Sequence, residues 1–149
     1  MVNLADLDRA RGMDGQGAEL LRKALAIEPD NADVLHSMGL LLVRQHDYAG
    51  ALDLLRRAHQ LAPDNARYAY VYAVALNSTG AHGDAVALLE QTHRQHPADR
   101  DVLLALVSIA RDAGNLDAAL LHARELVDRY PADPQFRTLL QELQRQQAH

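Results

Sequence analysis

Eight histidines are the residues of this chain that could most readily do chemistry, and two of them, His93 and His96, stand three positions apart. That spacing puts both imidazoles on one face of a helix. A structural zinc site needs four protein ligands and a catalytic one needs three plus water, and no third ligand lies near the pair. A solvated surface pair without metal is therefore expected. Asp6 and Asp8 are close carboxylates on a polar stretch, with no apolar surroundings to raise a pKa as acid–base work requires. Cysteine is absent, which removes thiolate nucleophiles, thiolate metal ligands, disulfides and covalent haem attachment. No glycine-rich phosphate loop, nucleophile elbow or HExxH occurs. The expectation is a chain that is not an enzyme and holds no cofactor. What remains is recognition: guanidinium groups such as Arg67 and Arg111 can grip a carboxylate through two parallel hydrogen bonds.

The elements that would carry these side chains are helices. Hydrophobic residues make up 48% of the 149 positions but aromatics only 4%, a balance dominated by alanine and leucine that favours closely packed helices over a sheet. Pro29, Pro63, Pro97 and Pro131 recur at a constant interval of 34 residues, the mark of a helical repeat array. Counting from them divides the chain into a partial repeat (1–31), full repeats at 32–65, 66–99 and 100–133, and a tail at 134–149, together one domain. The spacing of Leu35, Met38 and Leu42 predicts a helix from about Ala32 to Arg44, and Leu52, Leu55 and Ala58 one from about Tyr48 to Leu61. Gln45, His46 and Asp47 form the turn between them, with Gly80–Ala81 and Gly114–Asn115 as equivalents. Asn31, Asn65, Asp99 and Asp133 stand where helix N-caps should, each just after a proline.

Small residues recur at two opposed points of each hairpin: Ala5, Gly39, Ala73 and Val107 on the first helix, Gly17, Ala51, Ala85 and Ala119 on the second. They allow the two helices to approach closely. Leu55 with Ala58 and Leu89 with Thr92 become Ala123 with Leu126 in the last repeat, a size exchange that roughly conserves volume. The tail places Phe136, Leu139, Leu140 and Leu143 on one face, so it reads as an amphipathic helix capping the stack. Val2, Leu4, Leu7 and Ala10 lack such a cover, and a homodimer or an upstream domain is expected to contact that N-terminal face.

Leu35, Met38, Gly39, Tyr48, Ala51, Leu55, Ala58 and Pro63 together resemble the tetratricopeptide repeat, and the resemblance runs over nearly the whole chain. Ala69 in place of a bulky aromatic, Val107 in place of glycine and Asp8 in place of an apolar residue depart from that pattern. The resemblance implies an all-α solenoid of antiparallel hairpins, a right-handed superhelix whose first helices line a concave groove that holds a peptide or helix of a partner protein. The groove residues it implies are Asp33, His36, Leu40, Val43 and Arg44 in the second repeat, Arg67, Tyr70, Val74 and Asn77 in the third, and Leu104, Ser108, Arg111 and Asp112 in the fourth. Their centre is apolar and their rim charged, which suits a peptide anchored by hydrophobic side chains. His36 with Leu40, and Tyr70 with Val74, stand where the clamp that some members use for C-terminal carboxylates needs a basic residue and an asparagine, so that ligand is not expected.

A net charge of −5 with interspersed signs offers no basic stripe, and nucleic acid is not an expected partner. No apolar run approaches the roughly 20 residues of a membrane span, and MVNLADLDRARGMDG lacks the layout of a signal peptide. A soluble protein of the bacterial cytoplasm or periplasm is expected, the bacterial source from a basic complement in which Lys23 is the only lysine. Two further expectations stand beside the scaffold. RYAYVYAVALNSTG resembles tetratricopeptide tails joined to bacterial multihaem cytochromes, which would make this the accessory portion of a larger enzyme or redox protein. The uncovered N-terminal face would alternatively make it a homo-oligomerisation module.

Overall fold

The structure, a computed structural model, describes residue 17 and residues 19–148. The expectations for Val2, Leu4, Ala5, Asp6, Leu7, Asp8 and Ala10, and with them the N-terminal contact face, lie outside the described residues. Every regular element among those described is a helix: α1 over 19–27, α2 Ala32–Arg44, α3 Tyr48–Leu61, α4 Ala66–Ser78, α5 His82–Gln95, α6 Arg100–Asp112, α7 Leu116–Arg129 and α8 Pro134–Ala148. The chain groups into two compact units, Met1–Pro63 and Asp64–His149.

In the first unit α2 and α3 pack as a hairpin. Asn31 starts α2 by accepting a hydrogen bond from the Val34 amide at 3.1 Å, and Asp47 starts α3 by accepting from Gly50 at 3.0 Å, satisfying amides that the helix itself leaves open. The helices meet at Gly39, where a Cβ would stand 2.5 Å from Leu55 Cδ2. Leu35, Ala51, Leu55 and Ala58 are fully buried around that contact. The turn passes through His46 at φ 62°, a left-handed position that the later hairpins give to Gly80 and Gly114. Histidine carries a Cβ there, so this turn is the strained one of the three. Arg57 Nη2 donates to the Pro29 carbonyl at 2.8 Å and ties α3 to the preceding loop.

The second unit runs from α4 to α8 around two apolar clusters that share α6. Val102, Leu106 and Ile109 of α6 pack with Ala73, Ala85 and Leu89. Leu103 and Val107, on its other flank, pack with Ala119, Leu120, Ala123, Leu126, Phe136 and Leu143. Both partners of the size exchange are buried, Leu89 with Thr92 and Ala123 with Leu126. The Thr92 hydroxyl stays satisfied by donating to the Leu88 carbonyl at 2.8 Å. Asn65, Asp99 and Asn115 accept from Tyr68, Val102 and Ala118 as N-caps, whereas Ala81 at the start of α5 has no side chain that can. Successive loops are stapled from above: His96 Nε2 donates to the Asp64 carbonyl at 2.7 Å, and the Tyr130 hydroxyl donates to the Ala98 carbonyl. The tail helix α8 buries Phe136 and Leu143 completely. Arg100 lies 5.5 Å from the Tyr130 ring centre and 5.3 Å from that of Phe136, and pairs with Asp133 at 3.6 Å.

Candidate functional site

The flank of α4, α6 and α8 opposite the second helices α5 and α7 is the one a ligand could reach, and its apolar residues Tyr70, Leu104 and Leu139 also pack against the edges of the two clusters. Tyr70, Val74 and Asn77 of α4 and Leu104, Ser108 and Asp112 of α6 line one depression of about 230 Å³, together with Ser78, Ala105 and Ile109. Leu104, Ser108 and Arg111 continue into a second of about 430 Å³, closed on its far side by Gln135, Thr138, Leu139 and Glu142 of α8. Leu104 and Ser108 line both, so the two depressions adjoin across α6 and together make an elongated trough along the first helices of the second unit. Its floor is aliphatic and aromatic, and its polar groups are hydroxyls, amides and single charges of both signs. At its rim the Arg67 guanidinium sits 6.0 Å from the Tyr70 ring centre, a distance at which the cation is attracted to the ring face.

The sequence-based candidates are therefore distributed unevenly. Tyr70, Val74, Asn77, Leu104, Ser108, Arg111 and Asp112 come together in the trough, with Arg67 beside it. In the first unit Asp33 and Arg44 are exposed, Leu40 and Val43 half-buried, and His36 only 8% exposed. The contribution of α8 lies outside the groove that the sequence implies, because its apolar face reads as a cover for the core. A signal for it existed: one repeat step from Leu104 and Ser108 leads to Thr138 and Glu142, which line the second depression.

The histidines are used as separate structural groups. His93 Nε2 donates to the Glu125 carboxylate at 2.7 Å, joining α5 to α7, while His96 caps the end of α5 and holds the loop at Asp64. His122 packs edge-on to His93 with ring centres 6.3 Å apart, and the Nδ1 of each is buried without a hydrogen-bond partner. Burial is the main cause that pushes the His122 pKa down, the neighbouring His93 adds to it, and Glu125 and Glu90 work against it. Among the described residues no group of three or more histidines and carboxylates is placed to hold a metal ion.

Stacked two-helix units with small residues at the crossing and a trough along alternate helices define a helical-repeat protein. A family model of the tetratricopeptide repeat matches residues 76–143, and one of a tetratricopeptide-type family, anaphase-promoting complex (cyclosome) subunit 3, matches residues 17–92. The chain belongs to the tetratricopeptide repeat family. No curated protein matches the sequence. A crystal structure of MamA is similar with a TM-score of 0.83 at 16% identity, over 99% of this chain and 86% of that one. A MamA structure from Desulfovibrio magneticus RS-1 (residue 41 to its end) gives 0.80 at 19% identity, over 93% and 78%. YrrB, described as a TPR protein with an unusual peptide-binding site, gives 0.77 at 20% identity, over 91% and 68%. At these identities the likeness is one of fold: an all-α solenoid of helix hairpins.

Proposed function

We propose that this chain is a non-enzymatic protein-interaction scaffold that holds a peptide or helix of a partner protein in the trough along its first helices. The observation that carries the reading is that the two depressions adjoin at Leu104 and Ser108, which provides an elongated surface with an apolar floor and isolated polar groups. An extended or helical segment needs that combination: pockets for alternate apolar side chains, and donors and acceptors for its backbone. Arg67, Tyr70, Val74, Asn77, Leu104, Ser108, Arg111 and Asp112 are assigned to the contact. Asp33, His36, Leu40, Val43 and Arg44 occupy equivalent positions in the repeat of the first unit and belong to the reading by that equivalence. YrrB, a protein of the same fold described by its peptide-binding site, supports it. No described helix is long and apolar enough to cross a membrane.

The test is a pull-down from the native host with the chain immobilised, comparing the natural protein with Arg67→Gln/Tyr70→Ala. The doubly substituted protein is expected to lose its specific partner while keeping its helical circular dichroism. Unchanged recovery of the same partner would count against the trough.

A further inference from the structure

The cleft between α6 and α8 contains charges that nothing in the fold answers. Arg111 is half-buried along its wall, yet its guanidinium makes no hydrogen bond or ion pair with any described residue; the Glu142 carboxylate on the opposite wall is exposed and also without a partner among the described residues. Other arginines without a carboxylate, such as Arg94, Arg124 and Arg137, are exposed to water, and Arg100 and Arg129 are paired with Asp133 and Glu125. Removing part of the hydration of a guanidinium without supplying a carboxylate leaves binding energy available to a ligand that brings one. The hydroxyl of Ser108 and the amide of Gln135 line the same cleft and can donate to a second acceptor. Leu104 and Leu139 provide apolar surface beside them.

We propose that this cleft is the anchoring end of the trough, where Arg111 holds an acidic side chain of the partner segment while an adjacent apolar side chain of the same segment seats on Leu104 and Leu139. The inference rests on the peptide reading of the trough and gives the partner a chemistry. The acid belongs within the segment and is not its terminal carboxylate. Glu142 is exposed on the far wall, where it can exchange a water for a backbone N–H of the segment. A terminal carboxylate is the competing source of the same group, and amidation of the peptide distinguishes the two. In this arrangement α8 is a wall of the binding surface as well as a cover for Phe136 and Leu143.

A phage-displayed library of random dodecapeptides, selected on the full chain, supplies the probe. Selected peptides, fluorescein-labelled, are then titrated by anisotropy against the natural protein, Arg111→Gln, Glu142→Gln and Tyr70→Ala, each checked for an unchanged thermal melt. The expected peptides carry Asp or Glu next to a large apolar residue and weaken about tenfold or more on Arg111→Gln, as for loss of a hydrogen-bonded charge pair. Replacing the peptide's acid by its amide should cost a similar factor against the natural protein and almost nothing further against Arg111→Gln. Peptides that depend on Tyr70 but are indifferent to Arg111 would overturn the anchor and leave the trough standing. Peptides indifferent to both, or a library that yields no binder, would overturn the anchor together with the trough. Binding that depends on the free C-terminal carboxylate of a synthetic peptide, and is lost on amidation, would overturn the internal acid.

Discussion

Gly39 is the position where one missing side chain decides how closely two helices can lie. A Cβ there would stand 2.5 Å from Leu55 Cδ2 and 2.7 Å from Leu55 Cγ, and Leu55 is fully buried, so it has no room in which to move aside. Gly39→Ala is accordingly expected to destabilise the first unit by about 1–3 kcal/mol, the usual cost of overpacking, despite alanine's better helix propensity. Urea unfolding followed by circular dichroism checks the sign. A gain in stability would mean that the hairpin can open without loss. The equivalent positions carry Ala73 and Val107, both buried, so the later hairpins accommodate larger groups at the same point. Ala73 shares a cluster with Leu89 and Val107 one with Ala123, so the largest residue of the series accompanies the smallest partner, while the second hairpin admits a Cβ beside a leucine.

Among the elements, α5 and α7 are joined by ionisable groups: His93 with Glu125 and His93 with His122. His122 on α7 has a pKa held below its ordinary 6.5, chiefly by burial and then by His93, with Glu125 and Glu90 opposing. His59 on α3 is lowered by burial as well. A histidine with a folded-state pKa below the unfolded one costs nothing while both states are neutral. As pH falls through about 6.5 the unfolded chain takes up the proton first, and stability declines until the folded group also protonates. The melting temperature should therefore fall between pH 7.5 and pH 5, and the fall should be smaller in His122→Asn, which cannot take up the proton. Paired melts of the two proteins across that range measure it. An equal fall in both would remove His122 as the cause.

At the scale of the whole molecule the chain is two compact units, Met1–Pro63 and Asp64–His149, and repeat proteins distribute stability over neighbouring contacts. Phe136 ties the last hairpin to α8 and is fully buried among Leu103, Leu126 and Leu143. Phe136→Ala should cost about 3–5 kcal/mol, a typical value for emptying an aromatic site. Hydrogen exchange should report the loss in α6 to α8 and leave α2 and α3 close to their original protection. A uniform loss across all helices would show that the two units unfold as one.

Much of the architecture was legible in the sequence because it depends on local rules. The 34-residue recurrence of proline places the loops, and the residues after each proline, Asn31, Asn65 and Asp99, cap helices that begin where a side-chain oxygen can reach the open amides. Leucine and alanine spacing identified the buried faces, from Leu35 to Leu126, since a helix turns its side chains by a constant angle per residue. Tertiary structure alone decided what a one-dimensional pattern leaves open. Whether His93 and His96 act together depends on where their side chains find partners, and Glu125 and the Asp64 carbonyl, 32 residues away in each case, separate them. Whether α8 merely covers the core depends on how far it stands from α6. Both helices pack on α7 and make no close backbone contact with each other, so a cleft remains between them, and Arg111 and Glu142 line it without answering each other. Periodicity names the face on which a residue lies, whereas the distance between two such faces is set by the volumes packed beneath them.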